Sequence, residues 1–399
     1  MALACVKVTL GRVLGSKPLI CGRTTPNVGG LFQVQVCGIS GKALRDKNYK
    51  RPAPWPYKER GYNVFWSWID KTRHRFDDNS KIVVVEGPPA AGKTAFASAL
   101  ATDLDMLHLP EVTMDMHYIN PYGYDMRQLD PQMPDSLKSY DHRNFCRNPT
   151  HRNAATFQML MYRYRFSQYV DALTHLMNTG QGVVLERCAF SDFVFVEAMV
   201  QCGYLSKTAR SVYYDVRRNT ISELLEPHLV IYLDVPPAAV RQKVEARKLP
   251  HEKNSPVYKG DFLEHLEEAY KQRFLQEISN HAQLLVYDWS EGGDVEVVVE
   301  DIERVDMDQS DKHDPKFHDW KELAAEWEWT EARTLYTNQK DDLMCFFNVP
   351  RFDCPELNVD PYDAKKYEEL WDNAPGMKYR KGFNQDMGDS GILVKTKSV

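Results

Sequence analysis

The sequence lacks any apolar run long enough to cross a bilayer, and it has no excess of positive charge. No stretch approaches the roughly 18 uninterrupted apolar residues that a transmembrane helix needs. The 399 residues carry 50 basic and 56 acidic side chains, a net charge of −6, which argues against a protein that binds nucleic acid through bulk positive charge. Hydrophobic residues make up 43% of the chain, so a globular protein with a substantial core is expected.

Cysteines are few, and none forms a pair with metal-ligand spacing. Three of the eight lie in the first 45 residues, and the other five are Cys146, Cys188, Cys202, Cys345 and Cys354. Scattered thiols are typical of a reducing compartment rather than of a disulfide framework.

Acidic residues are absent from the first 45 positions, and the first one is Asp46. The same stretch contains six basic residues among many small or hydroxyl ones. This composition predicts an organellar presequence over 1–45, with a basic disordered tail as the alternative. A secretory signal is not favoured, because no apolar core of about 7–15 residues ends in a small-residue cleavage site.

Residues 46–80 and 291–399 differ in composition from the chain between them. The first segment has three prolines within Arg51–Tyr57, which favour an extended path, and aromatic residues follow. The second has four of the eight tryptophans among charged residues, and only 316–334 favours a helix. Aromatic residues with few aliphatic neighbours cannot build a core of their own. Each extension is therefore expected to pack on the same chain or on a partner.

Residues 81–290 alternate between predicted strands and helices. Short apolar runs predict five strands, at 81–86, 106–111, 182–186, 229–233 and 284–287. Apolar residues three or four apart predict helices after the first strand, at about 154–178 and from about 261, where Asp261 and Glu264 have capping-box spacing. This order predicts an α/β fold with a doubly wound, five-stranded parallel sheet flanked by helices.

The turn after the first strand has the spacing of a phosphate-binding loop. Residues Gly87–Thr94 fit the pattern G-x-x-x-x-G-K-[ST], in which backbone N–H groups and the start of the next helix converge on a phosphate. Lys93 would neutralise the β- and γ-phosphates, and Thr94 would ligate Mg²⁺. The residues expected to bind the nucleotide phosphates are Gly87, Ala91, Gly92, Lys93 and Thr94.

Ala90 stands where loops of this kind often have glycine, whose backbone reaches conformations that other residues avoid. Pro88 and Pro89 lack an N–H group, but they lie early in the loop, where fewer donors are needed. We therefore expect phosphate binding to survive and the geometry needed for catalysis to be impaired.

The phosphate loop, the long helix and a Glu-Arg pair after the third strand together resemble the deoxynucleoside kinases over about 81–290. The resemblance implies that Glu111, in a Pro-Glu-Val segment, is the general base on a sugar 5′-hydroxyl. It also implies that Glu186 helps to hold Mg²⁺ and that Arg187 binds near the reacting oxygens. The tryptophan that the family usually carries after its base is missing, and Met114–His117 stand there instead.

Three further polar residues resemble those that hold the nucleoside in this family. Gln158 and Arg165 are seven residues apart and face the same way on a helix, which alone would also fit a solvated helix face. The segment Glu186–Asp192 resembles the family's Glu-Arg-Ser signature, with Cys188 in place of the usual serine. The resemblance implies that Gln158 reads the base and that Asp192 pairs with Arg165.

The segment that should close over ATP fits the resemblance least well. Arg247 corresponds to one lid arginine, but the second arginine and the carboxylate pair that reaches the sugar 3′-hydroxyl are absent from Val244–Glu252. Pro250 and Pro256 would stiffen a loop that has to close. Because one arginine near the migrating phosphoryl group contributes about 10³–10⁵ in rate, we expect weak or absent turnover even with nucleotide bound.

The whole chain is similar to a more specific group, the deoxynucleoside-kinase-like accessory subunits of mitochondrial respiratory complex I. This resemblance rests on the basic leader, a Pro-Trp-Pro-Tyr segment at 54–57, the degraded kinase core and the long aromatic C-terminal extension. It implies that 1–45 is a mitochondrial presequence and that the extensions 46–80 and 291–399 dock onto other complex I subunits. It also implies a non-catalytic subunit in the mitochondrial matrix, peripheral to the inner membrane. A purine nucleotide (ATP, ADP or a deoxynucleotide) would stay in the pocket, with or without Mg²⁺, and a flavin dinucleotide stays open as an alternative.

Two other functions stay open. An active mitochondrial deoxynucleoside kinase would transfer the ATP γ-phosphoryl group to a nucleoside 5′-hydroxyl, with Glu111 as the base. A P-loop hydrolase or mononucleotide kinase would account for the phosphate loop alone, and it would leave Gln158, Arg165 and Asp192 unexplained.

Overall fold

The computed structural model describes residues 38–45, 49–307 and 315–391. The predicted presequence lies outside the described residues up to position 37. Its remaining part, 38–45, packs on the rest of the chain: Ile39 is fully buried, and the backbone N–H of Gly41 donates to Glu303 Oε1 (2.8 Å).

A five-stranded sheet, parallel throughout, forms the centre of the fold. The strands are β1 (Ile82–Glu86), β2 (Leu107–Leu109), β3 (Val183–Glu186), β4 (Leu229–Asp234) and β5 (Gln283–Asp288), in the spatial order β2-β3-β1-β4-β5. The five predicted strands and their parallel arrangement are confirmed. β2 is shorter than predicted, and β5 is slightly longer.

The central strands are buried, which explains why continuous apolar runs in the sequence predicted them. Every residue of β1 and β3 is buried, as expected for strands that helices cover on both faces. β2 and β5 lie at the edges and are only partly buried. Val85 of β1 lies opposite Glu186, and Glu86 lies opposite Tyr232. The carboxyl ends of the three central strands therefore lie side by side, where ligand sites form in folds of this class.

Fifteen α-helices occur in the described part of the chain. They are α1 (Lys93–Leu104), α2 (Asp115–Tyr118), α3 (His142–Arg147), α4 (Asn153–Thr179), α5 (Phe193–Gln201), α6 (Lys207–Thr220), α7 (Pro237–Arg247), α8 (Pro256–Lys259), α9 (Phe262–Ala269), α10 (Leu275–Ile278), α11 (Val295–Glu303), α12 (His318–Glu322), α13 (Glu326–Asn338), α14 (Lys340–Cys345) and α15 (Pro361–Asp372). A π-helical segment, Tyr270–Phe274, joins α9 to α10. None of the described helices has the length and apolar character needed to cross a membrane.

The helices predicted after β1 and over 154–178 are confirmed as α1 and α4. α9 also begins where predicted, but the capping box is wrong. The side chain of Asp261 makes no capping hydrogen bond, and Glu264 pairs instead with Arg241, with 2.7 Å between Oε1 and Nη1.

The segment 316–334 is helical as predicted, but it is divided into α12 and α13. The expectation that no other part of 291–399 favours a helix is wrong, because α11, α14 and α15 also lie there. The interruption brings the rings of Trp320 and Trp329 to a centroid distance of 6.0 Å. In an unbroken helix, residues nine apart would be about 13.5 Å apart along the axis. The aromatic contact between the two helices therefore requires the break.

Both extensions contact the central domain through Arg333 of α13, which is fully buried. Its Nε donates to Asn178 Oδ1 in α4, and its Nη2 donates to Asp70 Oδ2 in the N-terminal extension, both at 2.8 Å. The guanidinium also lies over the ring of Tyr62, 3.6 Å from its centroid. One buried cation thus joins three parts of the chain.

Candidate functional site

The ends of β1, β2 and β3 meet around a cavity of about 770 Å³. The predicted site residues that line it are Gly92, Lys93, Thr94, Glu111, Gln158, Arg165, Glu186, Arg187 and Arg247. Gly87, Ala91 and Asp192 are not among the lining residues. Gly87 O accepts a hydrogen bond from Arg187 Nη2 at 3.0 Å, and Asp192 pairs with Arg165, so these two residues hold lining arginines in place. The structure therefore brings most of the predicted residues to one place, although they come from positions 92 to 247.

The loop between β1 and α1 has backbone conformations that favour glycine at three positions. Gly87 has φ 149°, and a Cβ atom there would lie 2.7 Å from Leu233 O. Gly92 precedes α1 with φ 88°. Ala90 has φ 61°, a left-handed conformation that costs a residue with a Cβ atom about 1–2 kcal/mol. The position that the sequence marked as unusual for alanine is thus a strained one.

Lys93 is enclosed by the loop and only 6% exposed. Its Nζ donates to Pro88 O at 2.9 Å. Burial, reinforced by the charge of Arg187, lowers the pKa of Lys93 to about 7. A phosphate in the loop would supply a counter-charge and favour the protonated form.

Thr94 and Glu186, the predicted Mg²⁺ ligands, are in direct contact. The Thr94 hydroxyl donates to Glu186 Oε2 at 2.7 Å, and His108 Nε2 lies 2.8 Å from Oε1. A hydroxyl and a carboxylate are the hard oxygen donors that Mg²⁺ prefers, and Mg²⁺ usually keeps several waters as well. The residues present therefore fit Mg²⁺, and His108 would orient the carboxylate from behind.

Glu111 lies against two arginines. Arg187 Nη1 donates to Glu111 Oε1, and Arg165 Nη2 lies 3.4 Å from the same oxygen. Burial raises the pKa of Glu111, but the charges of Arg187, Lys93 and Arg165 outweigh it and lower the pKa to about 2. A carboxylate with so low a pKa is a weak proton acceptor. At neutral pH Glu111 is therefore ionised and paired with Arg187.

Gln158, Arg165 and Asp192 form one buried group. Arg165 Nη1 pairs with Asp192 Oδ1, and Gln158 Nε2 donates to Asp192 Oδ2 at 2.9 Å. The Tyr213 hydroxyl in α6 donates to the same oxygen at 2.7 Å. All four side chains are buried, so the alternative of a solvated helix face is wrong for Gln158 and Arg165.

The lid loop, Lys248–Ser255, connects α7 to α8 and forms one side of the cavity. Arg247 ends α7 and lines the cavity, with its Nη1 3.9 Å from Glu252 Oε1. Pro256 is the first residue of α8, so it begins a helix rather than interrupting the loop.

Sequence reasoning missed Glu86, Tyr270 and Tyr213. Glu86 ends β1, is fully buried, and accepts hydrogen bonds from the Cys188 N–H (3.2 Å) and the Tyr270 hydroxyl (3.0 Å). Burial raises the pKa of Glu86. A carboxylate at the end of a buried apolar strand was a signal that partners must exist, but nothing in the sequence indicated which residues they are.

The chain is similar to known proteins of one family. The chain matches the deoxynucleoside kinase family over residues 83–323. It is 34% identical over 334 residues to NADH dehydrogenase (ubiquinone) 1 alpha subcomplex subunit 10, mitochondrial, of Bos taurus, which covers 82% of this chain and 90% of that protein. It is 27% identical over 231 residues to deoxyguanosine kinase of Dictyostelium discoideum, covering 58% of this chain and 72% of that one. A structure of deoxyadenosine kinase from M. mycoides with bound dATP is 20% identical, with a TM-score of 0.40, over 56% of this chain and 97% of that one.

The family match spans more than half of the chain, and the likeness to the bovine protein spans most of both sequences. The resemblance implied that Asp192 pairs with Arg165, and the two side chains form an ion pair between α4 and the start of α5. The chain therefore belongs to the deoxynucleoside kinase family, among the members that resemble the alpha subcomplex subunit 10 of NADH dehydrogenase.

Proposed function

We propose that the chain is an accessory subunit of mitochondrial NADH:ubiquinone oxidoreductase, complex I, that holds a purine nucleotide without transferring its phosphoryl group. The main support for this proposal is the share of the chain that the complex I relative covers. The bovine complex I relative covers 82% of the chain, whereas the kinase from D. discoideum covers 58%. A match over 334 residues extends beyond the central domain 81–290, so it includes parts of the extensions.

The proposed organisation is a presequence, an N-terminal extension at 46–80, a nucleotide domain at 81–290 and a docking extension at 291–399. One boundary is changed. Ile39 is fully buried, and its removal would leave a cavity in the core. We therefore place presequence cleavage before Gly38 rather than at residue 45.

In the proposed nucleotide-bound state, the phosphates lie on the loop Gly87–Thr94, and Lys93 pairs with them. A cavity of about 770 Å³ lies in the size range of nucleotide pockets. Gln158 would contact the base, and the kinase relative is named for a purine nucleoside. Mg²⁺, when bound, would supply positive charge to the phosphate oxygens, and Thr94 and Glu186 would hold it.

Three features argue against turnover. The low pKa of Glu111, about 2, leaves a weak base where the substrate proton would be accepted. Ala90 strains the phosphate loop at φ 61°. The lid segment Val244–Glu252 contains one arginine, Arg247, where an active lid has two.

The extensions supply the proposed docking surfaces on the matrix side of the inner membrane. Several large apolar side chains there are exposed: Val64, Phe65, Trp68, Ile69, Trp327, Phe352 and Tyr362. Neighbouring exposed apolar residues usually mark an interaction site. Contact with other complex I subunits would bury them.

A native gel of gently solubilised mitochondria tests the assembly directly. We expect the protein to migrate with complex I, and native mass spectrometry of the purified assembly should detect one retained nucleotide per copy. Migration only as a free chain would exclude the complex I role. Absence of a nucleotide would exclude the proposal that the subunit retains a purine nucleotide.

An active deoxynucleoside kinase is the second candidate, because Glu111, Gln158 and Arg165 line the same cavity as Lys93. Purified protein incubated with labelled ATP and each of the four deoxynucleosides should give no labelled product. If product appears, the variant Glu111→Gln distinguishes its origin. Loss of product in the variant would establish the kinase, and unchanged product would indicate a contaminant or another base.

A further inference from the structure

Three potential metal ligands meet at the cavity wall. None of them belongs to the phosphate loop or to the buried group of Gln158, Arg165 and Asp192. His142 begins α3, and His251 and Glu252 lie in the lid loop. One ligand atom from each lies within 4.8 Å of the other two. The imidazole rings are perpendicular, with centroids 6.0 Å apart.

Glu252 gives an independent indication that a cation binds there. It is only 5% exposed, and its Oε2 has no hydrogen-bond partner among the described residues. Its other oxygen lies 3.9 Å from Arg247 Nη1, which is too long for a hydrogen bond. Burying a carboxylate oxygen without a hydrogen-bond partner is unfavourable, and a bound cation removes that penalty.

The donor set selects the type of metal. Two imidazoles and a carboxylate suit Zn²⁺, whereas Mg²⁺ prefers oxygen donors and retained water. Ligand bonds of about 2.0–2.2 Å in a tetrahedral site place donor atoms about 3.3 Å apart, so the present atoms must approach by up to about 1.5 Å. His142 is exposed and His251 lies in a loop, so rotation of these side chains can provide that movement.

We propose that His142, His251 and Glu252 bind a zinc ion that fastens the lid loop to α3. One contact already joins the two elements, because the Ser255 hydroxyl donates to Cys146 O at 2.7 Å. The zinc ion adds a second attachment near the middle of the loop. The lid loop is then fixed at the side of the cavity, where it slows the release of a bound nucleotide.

Zinc titration of the untagged mature protein tests this site. The protein carries Cys345→Ser, because Cys345 is an exposed thiol that could bind zinc by itself. After treatment with EDTA and removal of the chelator, we expect one zinc ion per chain in the presence of excess Mg²⁺. Zinc binding should weaken at least about tenfold in His142→Ala and in Glu252→Gln. His265→Ala is the matched control, since His265 lies in α9 beside Glu268 (3.9 Å), and it should bind zinc like the parent.

Trypsin cleavage at Lys248 and Lys253 gives a second measurement, because both lysines are exposed in the lid loop. Zinc should slow cleavage there severalfold in the parent and in the His265→Ala control, but not in the two ligand variants. Thermal melting establishes that each variant is folded. Zinc binding that is equal in all variants, or no stoichiometric zinc in the parent, would overturn the proposal.

Discussion

Lys93 shows how one buried charge couples the nucleotide to pH. Its pKa of about 7 lies below the ordinary value near 10.4, so above pH 7 the folded, empty protein binds fewer protons than the unfolded chain. The stability of the empty protein therefore rises with pH across this range, and the full penalty of burying the charge applies below about pH 7. A bound phosphate removes that penalty by pairing with the ammonium group.

We therefore expect nucleotide affinity to fall as the pH rises. The protonated fraction of a lysine with a pKa of 7 drops about tenfold between pH 6 and pH 8, so the Kd for ADP, measured by titration calorimetry, should rise by about the same factor. Lys93→Arg keeps its charge over this range and should give a much flatter profile. A profile equally steep in that variant would assign the dependence to another group.

Ala90 allows a test of backbone strain within the phosphate loop. Ala90→Gly removes a left-handed penalty of about 1–2 kcal/mol and adds about 0.5–1 kcal/mol of chain entropy to the unfolded state, so the free energy of unfolding should rise by about 0.5 kcal/mol. Ala91 lacks a positive φ, and Ala91→Gly should lower the same quantity by about 1 kcal/mol. Urea unfolding without nucleotide measures both. Equal losses in the two variants would show that Ala90 is not strained.

At the scale of elements, Arg333 should be the strongest single attachment between α13, α4 and the N-terminal extension. Arg333→Met removes the donors that Asn178 Oδ1 and Asp70 Oδ2 accept from, so the free energy of unfolding should fall by about 2–4 kcal/mol. Asp70 keeps its pairing with Arg75, which limits the loss.

Arg304→Met provides the comparison for Arg333. Arg304 also pairs with carboxylates, but its side chain is 69% exposed, so its removal should cost less than about 0.5 kcal/mol. Urea unfolding followed by tryptophan fluorescence reports both changes. Similar small effects would mean that the extensions contribute little to the stability of the domain.

Helices and strands were predicted correctly where their burial determines their own sequence pattern, and incorrectly where a contact with a distant residue determines their ends. β1 and β3 lie between helices and are buried on both faces, so their sequences are continuous apolar runs that predict buried strands. The break within 316–334 was not predicted, because helical periodicity carries no information about the contact of Trp320 with Trp329 that the break permits. The capping box failed for a similar reason, since Glu264 pairs with Arg241 instead.

For the molecule as a whole, the predictability of the site depended on how its residues are distributed along the chain. Gly87–Thr94 is contiguous, so its chemistry could be recognised from spacing alone. Tyr213 and Tyr270 support Asp192 and Glu86 from helices that the sequence does not place beside them. The buried Glu252 oxygen that lacks a hydrogen-bond partner in the described part of the chain emerges only once the lid loop is folded against α3. Local chemistry is therefore readable from the sequence, whereas the partners of buried charges require the fold.

Exposed aromatic residues of the N-terminal extension should matter for assembly into complex I but not for the stability of the folded chain. Phe65 and Trp68 are each 85% exposed, so the double variant Phe65→Ser/Trp68→Ser should change the free energy of unfolding by less than about 0.5 kcal/mol. If these rings are buried against a complex I subunit, each loss should cost about 2 kcal/mol or more of binding. After import into mitochondria, the double variant should then be largely absent from the complex I band of a native gel while its melting temperature is unchanged. Met116→Ser removes a 47% exposed apolar side chain from the central domain and should assemble like the parent, whereas normal assembly of the double variant would place the docking surface elsewhere.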